Sequence, residues 1–309
     1  MSDATQTAEK IPVTVLTGYL GAGKTTLLNR ILRESGAGVA VLVNDFGSVN
    51  IDEALIESVD GDVVALTNGC ICCTIADGFV AALDTIRNLT APPSRLIIEA
   101  SGVSDPRQVA AYGTMPGFEL DGVIGLVDVE SVRRQAVDRY VGGLVVGQLT
   151  GADVLVLNKV DLVDDASLAR TRKWVGEQSP HAVLVEAVDA EVPLEVLLGP
   201  SPSSSGREAG WAAAHGVDDV FESWTFTTDA PVDLVRLDAM IDALPDGIVR
   251  LKGVVRTDAE PHRRTILQVV GRRATRSLSG EWTPGPSRIV VVGRRGAIGS
   301  DWLDQSLRV

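Results

Sequence analysis

The stretch that most constrains the fold is residues 18–25, Gly-Tyr-Leu-Gly-Ala-Gly-Lys-Thr. Before it, Val13, Thr14, Val15, Leu16 and Thr17 are β-branched or apolar; after it, Leu27, Leu28, Ile31 and Leu32 recur at helical spacing. A loop so flanked joins a buried strand to a helix, and its residues match the G-x-x-x-x-G-K-[ST] pattern of a phosphate-binding loop. Gly18, Gly21 and Gly23 let backbone amides turn inward around a phosphate where a Cβ would strain or block the approach. Lys24 is expected to reach the β- and γ-phosphates and Thr25 to offer its hydroxyl to Mg²⁺. The positive end of the helix faces the anion, and Ala22 and Thr26 complete the set. The competing reading, a Gly-rich turn with a chance lysine, does not account for the strand-to-helix context.

The rest of the chain repeats that alternation. Apolar runs at residues 38–43, 63–66, 96–98, 123–127, 154–157 and 182–185 read as strands, with helical periodicity at 79–86 and 168–175. Strands apolar on both faces and separated by helices imply a doubly wound parallel sheet that binds ligand at the C-terminal ends of its strands. Residues 199–216 turn to Pro, Ser, Gly and Ala, the composition of a linker. Beyond it come strands near 221–227, 247–256, 265–270 and 288–292, a helix over 231–244 and a short final helix. The expected fold is therefore α/β: a doubly wound P-loop NTPase domain over residues 1–198, a linker at 199–216, and a second, smaller α+β domain over 217–309.

Charge supports the division. The net charge is −13, yet residues 217–309 carry 13 basic and 13 acidic side chains, so the acidic excess lies entirely in residues 1–216. That balance argues against nucleic-acid or acidic-membrane binding by the chain as a whole. With no apolar run of membrane-spanning length and a polar, acidic start, the expectation is a cytoplasmic protein, monomeric or a weak homodimer.

Three further clusters carry chemistry. Asn158-Lys159-Val160-Asp161 follows a buried strand, where the base of a nucleotide lies if its phosphates occupy the Gly18 loop. The Asp161 carboxylate can accept from N1–H and the 2-amino group of guanine, a donor pair adenine lacks. Asn158 is expected to hold the base edge and the Lys159 stem to cover its face, which favours GTP; an exposed polar turn is the alternative. Glu99, followed by Ala100-Ser101-Gly102, ends another strand, with the acid suited to Mg²⁺ or its waters and the Gly102 amide to the γ-phosphate; a helix-capping acid is the competing reading. Asp45 is the other acidic candidate near the phosphates, with an Asx turn an equal alternative. Lys24, Glu99 and Asp45 form the candidate catalytic set. No glutamine is obviously placed to orient the attacking water, so slow intrinsic hydrolysis is expected, quickened by metal or a partner.

The last cluster is Asn68-Gly69-Cys70-Ile71-Cys72-Cys73, which contains every cysteine of the chain. Three thiolates so close can bind one soft or borderline ion such as Zn²⁺, and a site short of four protein ligands can hand its metal on. A redox pair between Cys70 and Cys73 and buried structural thiols are the alternatives.

With these clusters in this order, the chain resembles the CobW family of P-loop GTPases. That family has a phosphate loop like residues 18–25, a C-x-C-C like residues 70–73, an E-x-S-G like residues 99–102 and an N-K-x-D like residues 158–161. Arg250-Leu251-Lys252-Gly253, Gln268-Val269-Val270-Gly271, Trp282 and Val291-Val292-Gly293-Arg294 look like its C-terminal domain, so the resemblance covers essentially the whole chain. It implies a GTP-dependent metal chaperone or insertase delivering Zn²⁺, Co²⁺ or a similar ion to a client metalloprotein. Two departures stand out: His181, His215 and His262 are isolated rather than gathered in a His-rich stretch, and Asp45 stands where the family often has Glu. The second reading is a regulatory GTPase whose thiolates sense metal and whose C-terminal domain recruits a partner; Arg263, Arg264, Arg272, Arg273 and Arg276 could contact an anionic surface, but a solvated sheet face is the favoured reading of that cluster. A small-molecule kinase shares the loop but leaves the N-K-x-D and the cysteines unexplained.

Overall fold

Strands apolar on both faces assemble, in the computed structural model, into a sheet buried on both sides. The structure describes residues 10–35, 38–44, 75–199, 220–299 and 301–307. Its first unit spans Lys10–Val192. The strands are β1 (Ile11–Thr17), β2 (Val39–Asn44), β3 (Arg95–Ala100), β4 (Phe118–Asp128), β5 (Val154–Asn158) and β6 (Val183–Ala187). They pair in parallel in the order β2-β3-β1-β4-β5-β6. Every residue of β3 and of β5 is buried, as expected of interior parallel strands. The strand expected at 63–66 lies outside the described residues.

The intervening helices are α1 (Lys24–Glu34), α2 (Ile75–Arg87), α3 (Pro106–Tyr112), α4 (Val132–Ala136), α5 (Gly142–Thr150) and α6 (Asp165–Gln178). Phe79, Leu83 and Ile86 of α2 pack with Val13, Val15, Leu42 and Ile98 of the sheet in one core. An ion pair is buried in the same unit. Arg95 meets Asp121 at 2.5 Å and reaches Thr14 Oγ1 at 3.4 Å. The Asp164 carboxylate caps α6 by accepting from Ser167 N–H and Ser167 Oγ–H, and those bonds hold its pKa below the usual carboxylate range.

Register aligns the strand ends. Leu16 pairs with Glu99, Thr17 with Gly125, Asp128 with Asn158, and Asn158 with Ala187. Chemistry-bearing residues from β1, β3, β4 and β5 therefore converge on one C-terminal edge, the ligand edge of a parallel sheet.

The second unit starts at Pro193. It contains α7 (Leu194–Leu198), then β7 (Phe221–Thr228), α8 (Leu234–Asp242), β8 (Ile248–Val255), β9 (Arg263–Val270), β10 (Arg273–Glu281), β11 (Ser287–Arg294) and α9 (Trp302–Leu307). Its antiparallel sheet runs β10-β9-β8-β11-β7. Leu237 and Met240 of α8 and Leu303 and Leu307 of α9 pack with Phe226, Leu251, Leu267, Ile289 and Val291. On β8, the fully buried Arg250 donates to Leu197 O at 2.6 Å and Lys252 to Leu198 O at 3.1 Å. Two cations thus satisfy the last carbonyls of α7, which is why that short helix groups with this sheet. The arginine cluster is partly neutralised here, since Arg276 pairs with Asp238 and Arg272 with Asp246.

Candidate functional site

β1 ends at Thr17 and the chain turns through residues 18–23 into α1. Gly18 and Gly23 hold φ of +136° and +108°, in the left-handed region. A Cβ on Gly18 would sit 2.4 Å from Leu126 O of β4, and one on Gly23 would sit 2.5 Å from Asn158 Nδ2. The scaffold itself therefore demands glycine at both positions, before any ligand is considered. Lys24 is buried and folds back over the loop, donating from Nζ to Gly18 O at 2.9 Å.

No side chain caps the α1 N-terminus and its first turn carries no acid. Its leading amides lack intrahelical acceptors and present partial positive charge, a fit for a phosphate. Thr25, half-buried, and Thr26, exposed, stand in that first turn. Glu99 is buried one strand away, level with Leu16. The turn after it is closed by Ser104 N–H and Ser104 Oγ–H, both donating to Ser101 O. A Cβ on Gly102 would lie 2.7 Å from Leu20 Cδ2 and 3.1 Å from Leu20 N, so this turn rests directly on the phosphate loop.

Asn158 is buried and used twice. Its Nδ2 donates to Ala22 O at 2.9 Å, and its Oδ1 accepts from Ala190 N–H at 2.8 Å. An amide nitrogen carries two N–H groups, so a second donor remains for a base edge. Lys159, with φ of 64°, donates to Asp128 Oδ2 at 2.8 Å, and Asp161 stands exposed in the single 3₁₀ turn Val160–Leu162.

A family description reading "CobW/HypB/UreG, nucleotide-binding domain" matches residues 12–186, and "Cobalamin synthesis protein cobW C-terminal domain" matches residues 221–309. The chain belongs to the CobW/HypB/UreG family. It is 30% identical to the zinc chaperone CobW of a Sinorhizobium species over 341 aligned positions, covering 95% of each chain. It is 32% identical to the zinc chaperone CobW of Pseudomonas aeruginosa, covering 94% of this chain and 89% of that one. Against the zinc-regulated GTPase metalloprotein activator 1 of Schizosaccharomyces pombe, identity is 34% over 60% of this chain and 47% of that one.

As a CobW-family protein, the chain has several site features that sequence reasoning did not find. Asp128, at the end of β4, tethers Lys159. Residues 188–190 follow β6, with Asp189 and Ala190 left-handed at φ of 48° and 57°, and Ala190 N–H meets Asn158. Arg30 of α1 donates to Ala190 O at 3.3 Å and Val192 O at 2.9 Å. Phosphate loop, Asn158, residues 189–192 and α1 thus close into a ring, and its members are too far apart in sequence for spacing to reveal. Asp45, Cys70, Cys72 and Cys73 lie outside the described residues. Among those described, no group of three or more His, Cys, Asp or Glu is placed to hold a metal, and His181 and His262 stand exposed. No described helix is long and apolar enough to cross a membrane.

Proposed function

We propose that this protein binds and hydrolyses GTP and uses the cycle to deliver a transition-metal ion, zinc foremost, to a client metalloprotein. The observation that carries the nucleotide half is the Asn158 bridge, which fastens the base-side turn to the phosphate loop through Ala22 O. In this reading the α1 amides and Lys24 hold the phosphates, and Lys24 exchanges its bond to Gly18 O for the β- and γ-oxygens. Asp161 accepts from the guanine edge, Asn158 donates its second N–H to the base, and Asp128 holds the Lys159 stem over the ring face. Thr25 and Glu99 are the residues to hold Mg²⁺, whose contribution is to neutralise charge on the transferred phosphoryl group. Val103 follows Gly102 where a water-orienting glutamine is wanted, so hydrolysis by the isolated protein is slow.

The metal half rests on the spacing of Cys70, Cys72 and Cys73 and on the zinc chaperones the chain resembles. The three thiolates take the ion as cargo in one nucleotide state and release it in the other, which requires different zinc affinities in the two states. Zinc competition with GDP and with a non-hydrolysable GTP analogue, for wild type and Cys72→Ala, tests this. Equal affinity in both states would sink the coupling. Equal affinity for GTP and ATP would sink the guanine assignment.

A further inference from the structure

α5 reads Gly-Gly-Leu-Val-Val-Gly-Gln-Leu-Thr and is apolar apart from Gln148 and its last residue. Gln148 is only 3% exposed, on the face that also buries Val145 and Leu149. Packing alone is served at such a place by Leu or Met, since a buried amide gains only if its hydrogen bonds are made. Half of this amide is used. Nε2 donates to Gly102 O at 3.0 Å and stands 3.5 Å from Ser104 O, whereas the buried Oε1 accepts no hydrogen bond among the described residues. The side chain lines a crevice together with Gly18, Tyr19 and Leu20.

We propose that Gln148 is the positioning residue that seats the turn of residues 101–104 on the phosphate loop and so sets the geometry with which Gly102 answers a γ-phosphate. The proposal rests on the GTP-binding reading above. The carbonyl Gln148 holds belongs to the Gly102–Val103 peptide, and a planar trans peptide points its N–H opposite its C=O. Fixing Gly102 O therefore fixes the plane that carries the Val103 N–H. The Gly102 N–H lies in the preceding peptide, whose Ser101 O accepts from Ser104 N–H and Ser104 Oγ–H, and Gln148 steadies that plane through the Gly102 Cα and through Ser104. The space beside Gly102 that a Cβ would need is filled by Leu20 of the phosphate loop, so the turn has little freedom on that side. With Ser104 O held as well, Gln148 grips the turn at its tip and at its exit into α3. Gln148 touches neither nucleotide nor metal in this arrangement; it acts through Gly102. The bond is worth most in the state in which Gly102 faces the γ-phosphate, because GDP offers nothing for that amide to meet.

The test uses the full-length protein, wild type and Gln148→Met, which keeps side-chain length and removes both polar ends. Affinities for GDP and for a non-hydrolysable GTP analogue are measured on each, with melting temperature as a control for folding. The expected result is GDP affinity close to wild type and GTP-analogue affinity about tenfold weaker, the loss of one well-placed hydrogen bond. A purely structural Gln148 would weaken both nucleotides together or neither, and an unchanged ratio overturns the proposal. Amide exchange in wild type needs no variant: residues 101–104 are expected to exchange more slowly with the GTP analogue than with GDP. Equal exchange in the two states also overturns it. Wild type that binds no guanine nucleotide sinks the underlying reading, a result distinct from an unchanged ratio in the variant.

Discussion

Asn158→Ala separates two roles that one side chain holds in this structure. The substitution removes the donor to Ala22 O and the acceptor for Ala190 N–H. Ala22 and Ala190 are 2% and 0% exposed, so water does not readily replace the lost partner. Each orphaned buried group costs about 1–3 kcal/mol, which puts the loss of folding stability at about 2–6 kcal/mol. That is a large share of the roughly 5–15 kcal/mol that holds a domain together. Denaturant unfolding of the nucleotide-free protein measures it. The functional consequence is read with inorganic tripolyphosphate, which has phosphates and no base. If Asn158 served only the base, tripolyphosphate would bind the variant as it binds wild type. Because Nδ2 anchors the carbonyl of Ala22 inside the phosphate loop, tripolyphosphate is expected to bind about tenfold more weakly, the equivalent of one hydrogen bond. GTP, which also loses the base contact, should lose more. A variant that is as stable as wild type and keeps full tripolyphosphate affinity would refute the bridge as a working part of the site.

Other substitutions test the surrounding scaffold. Asp128→Asn should weaken GTP binding several-fold at unchanged melting temperature by loosening Lys159, and Asp128→Glu should restore part of it; isothermal titration of the set decides. Gly18→Ala forces a Cβ toward Leu126 O at a strained φ, and a melting temperature within a degree of wild type would contradict that geometry. Asp121→Ala leaves Arg95 charged and buried, with an expected loss of about 3–5 kcal/mol in denaturant unfolding. For Asp164 the folded carboxyl titrates below its unfolded value, so its contribution is complete above the unfolded pKa and is lost as pH falls through the folded one. An NMR titration should find its midpoint below that of an unstructured aspartate, and Ser167→Ala should move it up.

What was legible in the sequence follows from how local the signal is. β3 and β5 were visible because interior parallel strands are unbroken apolar runs, and α1 because Leu27, Leu28, Ile31 and Leu32 mark one buried face. α5 was not, since three glycines and two valines in nine residues are poor helix formers; Val145, Gln148 and Leu149, packed at helical spacing, override that propensity. α3 hid behind Pro106, which sits comfortably in a first turn capped by Asp105. β10, with Arg273, Thr275, Arg276, Ser277, Ser279 and Glu281 among its nine residues on a sheet edge, is too polar to announce a strand. At the site, glycines and charged residues announced themselves by type. The partners of Asn158 lie 136 and 32 residues away, and those of Gln148 more than forty, so only the folded register brings them together.

Lys159, Asp189 and Ala190 are the described non-glycine residues with positive φ; Lys159 directly follows Asn158 and Ala190 N–H donates to its side chain. A left-handed residue with a Cβ costs about 1–2 kcal/mol, and asparagine tolerates that region better than alanine or lysine. A selection for heat resistance that ignores nucleotide binding should therefore accumulate Asn or Gly at 159 and 190, whereas Asp189 already belongs to a type that tolerates the region. Those same changes would soften the turn that frames the base. Thermostability and nucleotide discrimination draw on one reserve of backbone strain in this protein, and an engineering campaign that rewards the first without scoring the second will erode the site that gives the chain its use.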